Sequence, residues 1–413
     1  MRRATATGMA GIFVIESNML GRIADAPEAV TLSASHQPDI RFEFPVGGKP
    51  EIENHDFAVW ALMPLAMLHN VNLKIEGRVS ERAIASAELI SNIWEKWRPA
   101  IFHRVRISAD ETFGEREQSG RALTFFSGGV DSTYSARRSL SEGGEKSDFL
   151  SLHGMDYRYE DQENFDQLLR KTRSFTEAHF EKAHVVRTTL GHVYFRHFYQ
   201  EEIRRSFSVY MMMACASFYN GYDQYRVASD MRLDQQYWCH PYGNSTATNR
   251  LIRSANADLL PVHDDVTRPD KLRYLHDAGL DLTTLSVCPD KAVQPMNCGI
   301  CGKCIRTKVM FQALMGKVPE IFLDRSITAD WAKHVDMSEK VKAVYMHDML
   351  TVIENNGDPE AFPGYEAARR KYLARCEQLF TPTLYNMPWR ENVRYLTPKP
   401  VLAAARRLRR LVK

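Results

Sequence analysis

RALTFFSGGVDSTYSARR, residues 121–138, decides the fold. Residues 122–126 form a compact apolar run, the pattern of a strand buried on both faces. Ser127, Gly128, Gly129, Val130, Asp131 and Ser132 follow, and from Thr133 to Leu140 the chain can continue as a helix. A strand that delivers a Gly-Gly turn into a helix N-terminus makes an anion site. The glycines let the backbone come close, and unpaired N–H groups plus the helix dipole favour phosphate. Hydroxyls of Ser127, Ser132 and Thr133 add donors, while Asp131 can hold a magnesium ion or orient the loop. The plain alternative is an ordinary glycine-rich turn, but the strand before it and helix after it are the context a phosphate motif requires. No G-x-x-x-x-G-K-[ST] occurs, which excludes the common P-loop with its phosphate-seeking lysine.

Ser127 to Ser132 resembles S-G-G-x-D-S, the signature of the PP-loop ATP pyrophosphatases. The resemblance implies a Rossmann-like ATP site that grips the β- and γ-phosphates while the α-phosphate is attacked, so that AMP is transferred and pyrophosphate leaves. A carboxylate or amide oxygen becomes an adenylate, and a nitrogen or sulfur nucleophile then displaces AMP. ATP and Mg2+ are the implied cofactors, with Ser127, Asp131 and Ser132 as catalytic residues. Gly128, Gly129, Val130, Thr133 and Asp156 complete the nucleotide contacts.

Outward from this stretch the chain alternates strand and helix, the pattern of a doubly wound parallel sheet. Strands are expected at 148–153, 183–188, 225–228 and 259–263, with helices at 164–180 and 201–219. The second, fourth and fifth strands of this series end in polar residues: Asp156, then Ser229 and Asp230, then His263 and Asp264. Ligands of such sheets bind outside the carboxyl ends of the strands, so these residues are expected to ring the crevice at the loop. Taken singly, each is as well explained as a turn or cap residue. Residues 237–250, YWCHPYGNSTATNR, read as a loop broken by Pro241 and Gly243. Tyr237, His240, Tyr242 and Asn244 are its candidates to line an acceptor pocket, with Cys239 read as packing. Arg268 and Lys271 follow the fifth strand closely enough to reach a phosphate or carboxylate, or to be surface charges.

Cys288, Cys298, Cys301 and Cys304 are spaced C-x9-C-x2-C-x2-C. Four thiolates this close point to one metal, a structural zinc in a reducing compartment, with an iron–sulfur cluster as the other four-cysteine solution. Fully coordinated zinc has no open position and would hold the loop, not catalyse. Lys303 and Arg306 project from this knuckle and could face the phosphate crevice. A PP-loop followed by such a knuckle resembles the 7-cyano-7-deazaguanine synthase family, zinc enzymes that turn a carboxylate and ammonia into a nitrile with ATP. The likeness covers roughly residues 121–315 and places Lys271 where that family has a lysine-led helix. Ser229 to Asp234 stands where the family carries G-x-N-x-x-D, with Asp234 matching the final aspartate, and extra segments flank the core at both ends. With the strand-tip and loop candidates, the expected substrate contacts are Ser229, Asp230, His240, Tyr242 and Lys271, and the acceptor itself stays open.

Three segments are expected: 1–118, an accessory α/β domain; 119–315, the PP-loop domain with its knuckle; and 316–413, a helical region with a basic tail. In the first, residues 13–15, 40–44 and 71–75 look like strands and 56–69 and 80–97 like helices, with Trp60, Trp94 and Trp97 as packing aromatics. Residues 106–120 are polar and read as a linker. With 44% hydrophobic and 25% charged residues the chain is neither disordered nor membrane-spanning in composition, and a net charge of +3 gives no nucleic-acid-coating surface. The short run at residues 12–15 is no signal or spanning helix, and a cytoplasmic location is expected. Residues 401–413 carry five basic residues and no acid, suiting a solvated or homodimer-docked helix, or one lying on an anionic membrane or RNA. Beside a ligase acting on a small-molecule acceptor stand two other readings: a tRNA-thiolating sulfur transferase, and a non-catalytic nucleotide-binding subunit.

Overall fold

A computed structural model describes residues 18–380 apart from 36, 115–118, 199 and 256. The strand expected at 13–15 and the basic stretch 401–413 lie outside the described residues. The first segment contributes strands β1 (Asn18–Asp25), β2 (Ala29–Ala34), β3 (Ile40–Val46), β4 (Asn72–Ser80) and β5 (Ile107–Phe113), with helices α1 (Asp56–His69) and α2 (Glu81–Trp97). Then come β6 (Ala122–Phe125), α3 (Val130–Ser141), β7 (Ser147–His153), α4 (Gln162–His179), β8 (Phe180–Thr188), α5 (Leu190–His197) and α6 (Glu201–Ala216). β9 (Gln224–Ala228), α7 (Leu233–Cys239), α8 (Thr246–Asn249), β10 (Asp258–Val262) and α9 (Arg268–Asp277) complete the alternation. α10 (Gly302–Met315), α11 (Lys340–Asn356) and α12 (Tyr365–Phe380) follow.

All ten strands form one sheet in the order β10-β9-β6-β7-β8-β3-β2-β1-β4-β5. The five strands from β10 to β8 are mutually parallel. In chain order they run 3-2-1-4-5, so the order reverses between β6 and β9, which is where a doubly wound sheet opens a crevice. Period-two alternation sends neighbouring side chains to opposite faces. Leu150 and Leu152 of β7 join the core packed by α1 and α6, whereas Phe149 joins Phe126, Phe175 and Phe180 on the face of α3 and α4. Helices therefore cover both faces of the central strands. β3 pairs antiparallel with β8 and continues the sheet into the first segment, and one apolar cluster runs from Met19 to Leu259 across residue 118.

α1 is apolar all round and buried from Asp56 to Met67, the mark of a helix enclosed by other elements. Its first residue links segments that lie near opposite ends of the strand order. Asp56, fully buried, accepts from Ser80 N–H and Oγ at one end and from Ser254 Oγ and Ala255 N–H near the other, at 2.7–2.8 Å. Arg82 Nη2 reaches Asp258 Oδ1 at 2.6 Å across the same seam.

Two expectations about local structure are corrected. Residues 106–120 are not wholly a linker, because β5 occupies nearly half of them and pairs with β4 at the sheet edge. Edge exposure explains the misleading polarity: β5 is held by cross-strand charge pairs, Lys74–Asp110 at 3.1 Å and Arg78–Glu111 at 2.9 Å, not by apolar alternation. Residues 237–250 are not all loop either. α7 carries Tyr237 to Cys239, and α8 is a single turn capped by Ser245, whose side chain accepts from Thr248 N–H. β1, β2 and α5 had no sequence reading at all. Among the described residues no helix is long and apolar enough to cross a membrane.

Candidate functional site

β6 ends at the mouth of the crevice, and the chain turns there through Ser127 to Gly129 into α3. Gly128 has φ +70°, and a Cβ on it would come within 2.9 Å of Thr172 Cγ2, so this position requires glycine twice over. Gly129 is the N-cap of α3 and offers no side-chain cap, which leaves the N–H groups of the first turn open to a ligand. Ser132 Oγ sets the loop's curvature: it accepts from Ser127 N–H at 3.3 Å, sits 3.3 Å from Ser127 Oγ and donates to Gly129 O at 3.2 Å. Val130 and Thr133 are buried, Val130 in the core beneath the loop.

Asp131 is the centre of the electrostatics. Its Oδ2 accepts from Arg268 Nη1 at 2.6 Å and its Oδ1 from Lys271 Nζ at 2.9 Å, both cations coming from α9. Lys271 is completely buried and also donates to the carbonyl of Ser229 at the tip of β9. One carboxylate thus ties the loop, α9 and the β9 tip together across the switch point. Burial alone would raise the Asp131 carboxyl, but Arg268 and Lys271 outweigh it and hold it at about 2. Beside it Asp230 goes the other way: burial and the Asp131 charge push its carboxyl up, and Tyr242 Oη donates to its Oδ2 at 2.8 Å. Ser229 Oγ and Asp230 Oδ1 are buried without a hydrogen-bond partner.

Ser127, Asp131, Ser132, Ser229, Asp230, Tyr242 and Lys271 are therefore brought together. Others stand apart. Asp156 is exposed, and only its carbonyl is engaged, by Lys291 Nζ. His240 packs against Trp97 and Tyr237, with ring centroids 5.5 and 6.0 Å away. Tyr237 is exposed on α7, and Asn244 is bonded within its own turn to Asn249. His263 lies edge-on to Tyr134 of α3, and Asp264 accepts from Thr246 Oγ1 at 2.6 Å. Asp234 pairs with Arg232 in solvent at 2.7 Å.

The sequence reading missed the roof of the crevice, which α11 supplies. Arg306 of α10 lies with its Cζ 3.7 Å from the ring centroid of Tyr345, and Gln235 Nε2 donates to the buried Asp348 at 2.5 Å. Nothing in the pattern of α11 marks these two residues among its other interior positions. Burial pushes the Asp348 carboxyl up to about 6. Because the folded state then holds a proton that the unfolded chain releases near 3.8, Asp348 weakens the fold as pH rises from about 4 to 6. Asp131 acts in the opposite sense and lower down: its stabilisation fades as pH falls from 3.8 toward 2. Asp348→Asn keeps the acceptor for Gln235, and it is expected to raise stability at pH 7 by roughly 1–3 kcal/mol. Urea unfolding at pH 5 and 7 checks this, since the gain should shrink at the lower pH.

Cys288, Cys298, Cys301 and Cys304 place their sulfurs within 4.8 Å of one another. Two of the separations are 3.9 and 3.8 Å. A tetrahedral ion with Zn–S bonds of 2.3 Å spaces its sulfurs about 3.8 Å apart, so the cluster fits one ion. An iron–sulfur cluster would divide the thiolates among two or four irons and spread the four sulfurs. Backbone N–H groups of Asp290, Ile300, Cys301 and Cys304 aim at these sulfurs at 3.3–3.5 Å, as thiolate ligands require. Buried Asn297 fastens the cluster to the fold, accepting from Val287 and Cys288 N–H and donating to the carbonyls of Leu285 and Ile321. Two residues before Cys288, Ser286 N–H donates to Gly128 O at 2.9 Å. The segment leading into the cysteine cluster is thus bonded to the glycine loop.

Fold and site define an α/β protein with a large, mostly parallel sheet and a four-cysteine cluster suited to a metal such as zinc. No protein-family model, no curated protein and no solved structure matches the chain.

Proposed function

We propose that the protein is an ATP-dependent ligase that adenylates a carboxylate or amide acceptor, releases pyrophosphate, and completes the reaction by attack of a nitrogen nucleophile that displaces AMP. The observation that carries this reading is the uncapped, glycine-lined N-terminus of α3 at the sheet's switch point, with buried cations gathered on it by Asp131. N–H groups of the loop and the hydroxyls of Ser127 and Ser132 bind the β- and γ-phosphates. Lys271 and Arg268 offset the charge that builds on the leaving pyrophosphate. Both oxygens of Asp131 are taken by these cations, which favours orienting the loop over metal binding as its role. Magnesium would reach the site on the triphosphate and neutralise its oxygens there. In the first step an acceptor oxygen bonds to the α-phosphorus and the bond to the β-phosphate oxygen breaks. In the second, nitrogen takes the acyl carbon and AMP leaves.

Zinc, where bound, supplies no chemistry to these steps: with four sulfur ligands it has no open position, and its role is to brace the segment that holds Gly128. Incubation of the protein with MgATP, ammonium and a panel of carboxylic acids is expected to yield AMP and pyrophosphate in equal amounts with the correct acid. ADP and orthophosphate as products would reject attack at the α-phosphate.

A further inference from the structure

We propose that Arg306 and Arg268 form an oxyanion clamp at the mouth of the glycine loop, and that Tyr345 of α11 is the positioning residue that holds the Arg306 side of it. The inference rests on the phosphate-site reading of residues 127–132 and adds to it a binding role for the helical region beyond residue 315.

Both arginines are at least nine-tenths buried, and the Nε of each lacks a hydrogen-bond partner. Arg306 stands close enough to Arg268 and Asp131 to feel both charges. Asp131, however, spends its two oxygens on Arg268 and Lys271, and Asp230 is turned to Tyr242. Two buried guanidiniums are therefore neighbours, and Arg306 makes no ion pair among the described residues: Asp131 and Asp348 act on it only from beyond contact distance. Buried donors of this kind are costly unless a partner arrives, and a guanidinium's fork matches the paired oxygens of a carboxylate or phosphoryl group. Tyr345 decides where the fork points. Its ring lies flat under Arg306 at 3.7 Å, and it sits against the apolar group of Met231, Tyr242, Val341 and Val344, which leaves the guanidinium little freedom to turn away. Ser229 Oγ and Asp230 Oδ1, also unpartnered, border the same place and could take further polar groups of the bound molecule.

The oxyanion has two possible sources, the nucleotide's phosphates or the acceptor's carboxylate. The test uses full-length, metal-loaded protein and three probes: MgATP, inorganic pyrophosphate and benzoate, titrated by calorimetry or NMR into wild type, Arg306→Ala, Tyr345→Leu and Tyr345→Phe. Metal content and far-UV circular dichroism establish that each variant is folded, and Tyr345→Leu keeps the arginine should Arg306→Ala fail to fold. The clamp requires that Arg306→Ala and Tyr345→Leu weaken at least one probe roughly ten- to hundredfold, the worth of a hydrogen bond to a charged group. Tyr345→Phe, which retains the ring, should bind within about threefold of wild type. Loss of ATP and pyrophosphate binding assigns the clamp to the nucleotide, and loss of benzoate alone assigns it to the acceptor. Unchanged binding of all three probes in folded Arg306→Ala or Tyr345→Leu overturns the clamp while leaving the ligase reading intact. Wild type that binds benzoate but neither ATP nor pyrophosphate sinks the ligase reading, and the benzoate titrations still decide the clamp.

Discussion

Cys304→Ala is expected to lose the metal and with it most of the folded population of residues 285–325. Cys304 is fully buried at the start of α10, and its sulfur is one corner of a tetrahedron whose other corners come from a loop with little regular structure. Structural zinc sites of this kind contribute on the order of 10 kcal/mol of apparent binding energy, which an unfolded chain cannot use. Without it the three remaining thiols would repel as thiolates or lie buried as unpaired thiols. The loss should spread to the glycine loop, because Ser286 N–H holds Gly128 O. Calorimetric melting of wild type with and without a strong chelator checks the same point. A fall in Tm of more than 10 °C, reversed by added zinc and not by magnesium, is the expected result; an unchanged melt would show that the cluster is not a metal site.

Asp131→Ala is expected to cost roughly 3–5 kcal/mol of stability, the usual penalty for removing one partner of a buried charge pair. Lys271 would keep only the Ser229 carbonyl, and Arg268 would lose the partner of its Nη1. Urea unfolding of both proteins at pH 7 measures this penalty. A penalty below 1 kcal/mol would mean that Asp131 does not organise the site. Nucleotide turnover in the same variant should be lost even where it is folded, since the two cations are then no longer aimed at the loop.

Much of this arrangement was legible before any coordinate. Residues 122–141 declare a buried strand, a glycine turn and a helix, and the cysteine spacing declares its cluster, because both signals are local in sequence. Lys271 and Arg268 could be nominated but not placed, since their partnership with Asp131 joins residues more than 130 positions apart. β5 was hidden by its polarity, a consequence of lying at a sheet edge where ion pairs replace apolar packing. Asp156 was drawn toward the site by its position at a strand end and His240 by its place in an aromatic segment read as a loop, but Asp156 is exposed in the turn after β7 and His240 packs against Trp97 at the end of α7. Tyr345 and Asp348 escaped notice for the reverse reason. They sit inside an ordinary-looking helix, and only packing against α10 and α7 shows what they touch.

The central claim is that residues 127–132 cradle the pyrophosphate half of ATP. Competition titration of the metal-loaded protein with ATP, inorganic pyrophosphate and AMP tests it most directly. Pyrophosphate should displace ATP from a single site and bind at least tenfold more tightly than AMP. AMP binding as tightly as ATP, with pyrophosphate unable to compete, would contradict it.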